Sequence, residues 1–519
     1  MAMRLDRRTM LAGVAAVPLV AGLTGGLAGC GRREAPADTL RVAMAGEPDS
    51  LDPLRAEFAA SAVLFRQYLH PVVGYGPGGV AAPAIAESWE GSNGYRTWTF
   101  KIKPGLVFSD DTPITAVTVR DTLRKAADRN TRYPDASEYY VITGVQAAVV
   151  DGADPTAIGV SAPDDTTLVI ELNAPDAQFP LRMQEFYPLP LHAIEANPDG
   201  WTDVSSIVVS GPFKPVEKTT TRILFEANPK GGWVEGMARQ IDVEAVTDTN
   251  TRLRMFQSGT VDLAQDPPGL RAEELAQEFG SQYQSAKAPR IIYMSMNTKR
   301  PVMADPEVRR ALAMSINRPQ IAAAIMRNSV EPAGRWVRGE EQPPYDPDAA
   351  RAILAAKGIT PENPMRFELL VTKDDRERAA VQMVNDWKAI GVEATILASD
   401  ASSIVARLNG FDFDAAVVRL DKGMKSDPID LLQSWGEGGT AYSHQWKDPA
   451  FDAKLAEARA EVDPARRKAL VLEAEAIIQG AMPVTGIWFF PSTWLVAERV
   501  TGGIEGVPPI IWPSLRLPA

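Results

Sequence analysis

At Asp305-Pro306, Asp346-Pro347 and Asp463-Pro464 the chain places an aspartate and a proline directly ahead of apolar residues at helical spacing. An aspartate caps the free N–H groups of a first helical turn, and proline suits the first helical position because its missing N–H is one that helix leaves unpaired. Behind Asp305, the residues Val308, Ala311, Leu312, Ser315 and Ile316 trace one helical face. The same grammar recurs at Asn317 and Pro319, while Gly358 and Gly480 are the expected stops of the helices begun at 346 and 463. A further helix presents Ala380, Met383, Val384 and Trp387 and stops at Gly391, with a strand from Val392 to Leu397 directly behind it. Apolar strands near Ile291, Phe367, Val392 and Ala415 fall between these helices, and that alternation specifies an α/β lobe.

The first half reads differently. A buried strand is predicted over residues 39 to 45, ended by Gly46-Glu47-Pro48-Asp49. Trp98, Phe100 and Ile102 alternate with polar residues as a half-buried strand, Pro104-Gly105 turns the chain, and Leu106 with Phe108 suggests the returning strand. A helix follows Pro113, and Leu168, Ile170 and Leu172 alternate again. At 519 residues the chain is too long for one core, so two or three lobes are expected.

The N-terminus reads as an address. Arg4, Arg7 and Arg8 precede an apolar stretch from Met10 to Leu23, the pattern of a secretory signal, and Arg7-Arg8 resembles a twin-arginine export signal. Leu27-Ala28-Gly29-Cys30 resembles a bacterial lipobox, and Cys30 is the only cysteine. Acylation of its thiol with two chains is enough for stable anchoring. No later apolar run approaches the roughly 20 residues of a membrane span. A soluble body on a lipid anchor, facing the periplasmic space or the outer surface of the cell membrane, is expected.

Several chemistries are disfavoured. A net charge of −12 gives nucleic acid no basic face to meet. One cysteine and three scattered histidines (His70, His192, His444) leave no obvious metal site, and no cofactor is expected. There is no phosphate-binding Gly-x-x-x-x-Gly-Lys loop and no Gly-x-Ser-x-Gly elbow. The acidic pairs Asp110-Asp111, Asp164-Asp165 and Asp374-Asp375 sit in turn-like settings and read as solvated turn residues. An enzyme is therefore not expected, although a secreted hydrolase and a surface lipoprotein without a transport role remain as alternatives.

Ordered motifs then point to a family. Glu47-Pro48-Asp49-Ser50-Leu51-Asp52-Pro53, Ala86-Glu87-Ser88-Trp89-Glu90 with Tyr95 to Phe108, Gly211-Pro212-Phe213-Lys214, Ser258-Gly259-Thr260-Val261-Asp262, Met296-Asn297-Thr298, Asp305 to Arg318 and Tyr345 to Ala350 together resemble the extracellular solute-binding family 5. These are receptors of peptide, nickel and oligosaccharide ABC importers. Ser109, Asp111 and Val117-Thr118 depart from the family's usual pattern after its aromatic strand.

The resemblance implies a two-lobed periplasmic-binding-protein-like α/β fold (type II, cluster C) with an extra subdomain in the first lobe. The expected parts are a signal peptide (1–29), a lipidated tether (30–38), a first lobe (39–285, with 70–200 inserted), a second lobe (286–485) and a return to the first (486–519). It implies a monomer that binds a small molecule or peptide between its lobes, closes by a hinge and delivers the ligand to ABC permease subunits.

Peptide-binding members hold the ligand's amine with an aspartate four residues before a proline. Met424 stands there, with Asp421 near by. Arg419 offers a bidentate carboxylate site instead. The expected ligand-binding residues are Glu47, Arg419, Asp421, Trp435 and Tyr442. The two charges follow the predicted strand Ala415-Ala416-Val417-Val418, beyond whose carboxyl end a ligand would sit. Glu47 occupies the matching place in the other lobe.

Overall fold

The computed structural model describes residues 37–423, 427–437, 439 and 441–518, with Tyr442 described by its backbone alone. Cys30, the signal-like segment and Met424 lie outside the described residues.

The chain begins with strand β1 (Thr39–Met44). An inserted region carries β2 (Ala86–Ser92), β3 (Thr97–Ile102), helix α1 (Ala116–Ala127), β4 (Val160–Asp164) and β5 (Thr167–Glu171). Strands β6 (Phe213–Lys218), β7 (Arg222–Ala227), β8 (Gln240–Ala245), β9 (Leu263–Gln265) and β10 (Tyr283–Ala286) follow. The second half contributes β11 (Arg290–Met296), α2 (Pro306–Met314), β12 (Glu331–Pro332), α3 (Pro347–Ala355) and β13 (Met365–Thr372). Then come α4 (Asp375–Lys388), β14 (Val392–Ser399), α5 (Ala401–Asn409), β15 (Ala415–Asp421), α6 (Pro464–Ala481), β16 (Val484–Phe489) and β17 (Ser492–Val496).

Two large sheets organise these strands. The first has the order β10-β17-β9-β1-β8-β7-β6, and the second β12-β16-β11-β15-β13-β14. Strands β2-β3-β5-β4 make a four-stranded sheet of their own. β1 runs parallel to β8 and β9, and β13 parallel to β14 and β15, as crossover connections require. The second sheet is covered on both faces. Leu312, Met383 and Trp387 pack on one side, and Trp435, Phe451 and Ile478 on the other. The inserted region shares one continuous apolar core with the first sheet.

The helix starts follow the cap chemistry. Asp305 accepts from the Glu307 amide, Asp346 from Ala349 and Asp463 from Arg466. Asp427-Pro428 and Asp448-Pro449 open two more helices in the same way. The stop expected at Gly480 is wrong. α6 runs through that glycine, and Met482 takes the left-handed conformation that ends it (φ 50°). The predicted hairpin return at Leu106 and Phe108 is also corrected. β3 pairs instead with β2 and β5, while Phe108 folds into a tight loop closed by its amide on the Thr112 carbonyl. Val107 makes only an isolated bridge, to Pro113 across that loop, so no strand forms there. Val484–Phe489 still pairs within the second sheet, so the chain rejoins the first at Ser492 rather than at 486.

Candidate functional site

Among the described residues only two stretches cross between the large sheets, from β10 into β11 and from β16 into β17. Arg290, the first residue of β11, ties them together. Its Nε lies 3.0 Å from an Asp421 carboxylate oxygen in the second sheet, and Nη1 lies 3.6 Å from Asp266 just beyond β9 of the first. Arg419 joins the same cluster, with Nη2 2.8 Å from Asp421. Both guanidiniums stand over the ring of Phe490, on the return crossing, at 5.7 and 4.6 Å from its centroid.

Three adjoining cavities run from this hinge. One of about 260 Å³ is bounded by both sheets, with Asp266 and Tyr283 from one side and Arg376, Arg419 and Trp488 from the other. The second, about 770 Å³, lies against α5, where Ile404, Val405, Leu408 and Phe411 meet Arg419 and Asp421. The third, about 320 Å³, separates the inserted region from the second lobe and is lined by Tyr140, Asn173, Arg182, Lys422 and Arg459. Arg376 and Arg419 line the first two, and Gly439 the last two, so neighbouring cavities share a wall and the three together are called the groove. A volume of this order suits a molecule of several residues or rings.

At its far end the groove is bridged by charge. Glu138 of the inserted region lies 3.5 Å from both Lys422 and Arg182, and Arg182 lies 3.0 Å from Asp176. The Ala177 amide donates to the Arg459 carbonyl at 2.9 Å, so the backbone crosses the gap as well. Burial opposes the charge of Arg182, but Asp176, Asp430 and Glu138 around it more than offset that and raise its pKa. These contacts hold the lobes together across the groove. A Glu138→Gln variant is expected to have a larger radius of gyration than the parent protein in small-angle scattering without added ligand. Superimposable curves would remove Glu138 from the closing contacts.

The expected site residues separate here. Arg419 and Asp421 stand together at the carboxyl end of β15, where a fully buried run, Ala415 to Val418, gives way to polar residues that line the groove. Burial raises the Asp421 pKa, but the charges of Arg290 and Arg419 outweigh it and hold the carboxyl below its ordinary value. Glu47 is exposed in the loop after β1 and lines none of the three cavities. Trp435 is not a wall of the groove. It is completely buried in the second lobe, its ring 4.0 Å from that of Trp336 and 5.4 Å from that of Tyr293. Tyr442 begins a short helical turn, Tyr442–His444, and its side chain is not among the described ones.

The acidic pairs act largely as turn and cap residues. Asp164 closes the turn at Thr166, and Asp374 caps α4. Asp110 lies 2.6 Å from His192 Nε2 at the surface. His444 is buried, which pushes its pKa down to about 3. Among the described residues no group of three or more His, Cys, Asp and Glu is placed to hold a metal ion. Sequence reasoning missed Arg290, Arg376, Phe490 and Glu138. Of these only Arg290, a lone charge opening an apolar strand after Pro289, carried a readable signal.

The model of the bacterial extracellular solute-binding proteins, family 5 (middle region), matches residues 81–443. The probable deoxycholate-binding periplasmic protein YgiS of Escherichia coli is 26% identical over 490 residues, 90% of this chain and 91% of that protein. The oligopeptide-binding protein OppA of Bacillus subtilis is 27% identical over 494 residues, 90% of each chain. In fold, the chain matches the murein tripeptide-binding protein MppA of Escherichia coli with a TM-score of 0.80 over 92% of its length and 98% of that chain, at 22% identity. It matches Haemophilus influenzae OppA, solved as a complex with RPPGFSPFR, with a TM-score of 0.79 over 92% of its length and 99% of that chain, at 21% identity.

Proposed function

Because this chain belongs to the bacterial extracellular solute-binding proteins of family 5, we propose that it is the lipid-anchored receptor of an ABC importer, and that it closes two lobes around a peptide or a solute of similar size. The observation that carries this reading is the cavity walled by both large sheets beside the two crossings that join them. A pair of crossings is a hinge, and a groove beside it changes width as the hinge bends. A ligand that touches both walls binds the closed form better than the open one, and this difference in affinity is what drives closure. No covalent step is required. The relatives named as oligopeptide-binding proteins support a peptide-like ligand, while YgiS extends the range to a bile acid. Arg419 is the residue proposed to meet the ligand, and the partners are the importer's permease subunits and, through Cys30, the membrane.

The reading predicts that protein purified from its own host carries a small molecule visible by native mass spectrometry. At about 100 times Kd that molecule should stabilise the fold by roughly 2.7 kcal/mol. Ligand consumed by the pure protein would mark an enzyme instead. In the same host, Cys30→Ser should abolish partition into membranes. Membrane partition that survives the substitution would exclude the lipid anchor.

A further inference from the structure

The groove is unevenly supplied with charge. Its carboxylates are already committed. Asp421 accepts from Arg419 on the oxygen that also pairs with Arg290, and from the Gly423 amide, at 3.0 Å, on the other. Asp374 accepts from both the amide and the guanidinium of Arg376. Asp266 faces Arg290 and the amide and hydroxyl of Thr493, and Asp375 pairs with Arg378. At the far end Glu138 meets Lys422 and Arg182, and Glu437 meets Lys447.

Two guanidiniums, by contrast, have capacity to spare. Arg419 shares its one described carboxylate with Arg290, is 45% exposed, and lines two cavities. Arg459 donates to the neutral Gln433 at 2.6 Å, and its buried Nε has no hydrogen-bond partner among the described residues. An ammonium brought to Asp421 would lie against two guanidiniums already seated there and be repelled. A carboxylate brought to Arg419 meets open donors in a planar fork made for it. Directly beside Arg419 the wall turns aliphatic and aromatic, and Val405 and Phe411 are among the few large apolar side chains left exposed, at 51% and 42%.

We propose that the groove selects acids: the ligand seats a free carboxylate on Arg419, lays an apolar body against Val405, Leu408 and Phe411 of the α5 segment, and places no ammonium on Asp421. This rests on the receptor reading and narrows it to ligands whose amine is blocked or absent.

Calorimetry on the full chain with two probes of equal bulk tests it. N-acetyl-trileucine carries only a carboxylate, and trileucine amide only an ammonium. The acid is expected to bind at least tenfold more tightly. Arg419→Gln should cost the acid at least tenfold and leave the amide unchanged, Arg419→Lys should restore part of the loss, and Asp421→Asn should leave the acid within about threefold. Because Arg419 is half exposed, the Arg419 variants should melt with the parent protein. Equal affinities, tighter binding of the amide, or no binding of the acid would each overturn the proposal. A protein that binds only the amide, and loses it in Asp421→Asn, would still be a receptor. The receptor reading itself stands or falls on the co-purified ligand and on lobe closure.

Discussion

Truncating Trp435 to alanine should lower the stability of the protein by about 3–5 kcal/mol, the range for removing a large aromatic side chain from a packed core. The ring is completely buried and lies against Trp336 and Tyr293 on the face of the second sheet that also carries Phe451 and Ile478. No surface movement can refill a hole of that size. Urea unfolding followed by circular dichroism reads the effect as a lower midpoint at unchanged slope. Trp435→Phe should recover much of the loss. Neither variant, once folded, should change the affinity for ligand by more than a small factor, since the ring does not reach the groove. A large loss of affinity at full stability would restore Trp435 as a ligand wall.

Asp262→Ala should cost about 3 kcal/mol. Asp262 is 1% exposed and accepts from the amide, Nε and Nη2 of Arg41 at 2.9, 2.9 and 2.7 Å, and from Nε and Nη2 of Arg499 at 2.7 Å each. Arg499 also donates to the Ala37 and Thr39 carbonyls. One carboxylate thus joins the first strand, the middle of the chain and its final segment. Removing one partner of a buried ion cluster leaves the others uncompensated, and the quarter exposure of both arginines sets the loss at the lower end of the usual range. Burial raises the Asp262 pKa, but the bonds from Arg499 and Arg41 outweigh it, so the folded value lies below the unfolded one. The stabilisation is therefore complete above the ordinary carboxylate range and fades as pH falls through the folded value. The gap in urea midpoint between parent and variant should be widest near neutrality and narrow in strong acid. A gap that widens as pH falls would contradict the assignment.

What could be read from the sequence was what local chemistry decides. A cap and a proline fix a helix start within four residues, so Asp305, Asp346 and Asp463 were legible. The end of α6 was not, because Met482 adopts a conformation usually left to glycine while Gly480 stays helical. Strand pairing is decided between distant segments, which is why β2 rather than 106–108 lies beside β3. Arg419 and Asp421 were legible as groove residues because a buried run turning polar marks where a strand leaves its sheet. Trp435 shows the opposite limit. An aromatic residue has the same letter in a wall and in a core, and only its neighbours from 293 and 336 tell them apart. Glu138 and Lys422 meet across 284 residues, and no spacing within either segment announces that pair.

Strands β16 and β17 carry a consequence for how the protein is made. β16 lies between β12 and β11, and β17 between β10 and β9, so each large sheet keeps an internal slot for a piece of residues 484–496. Until those residues leave the ribosome, both sheets expose facing edges whose amides and carbonyls have no neighbour. The first lobe cannot be finished early and wait for the second. The two are completed by one stretch of chain, nearly at the same moment, once residues 484–496 have been made. A chain ended at residue 483 lacks both inserts at once. Such a fragment is expected to be degraded rather than to persist as a folded single lobe.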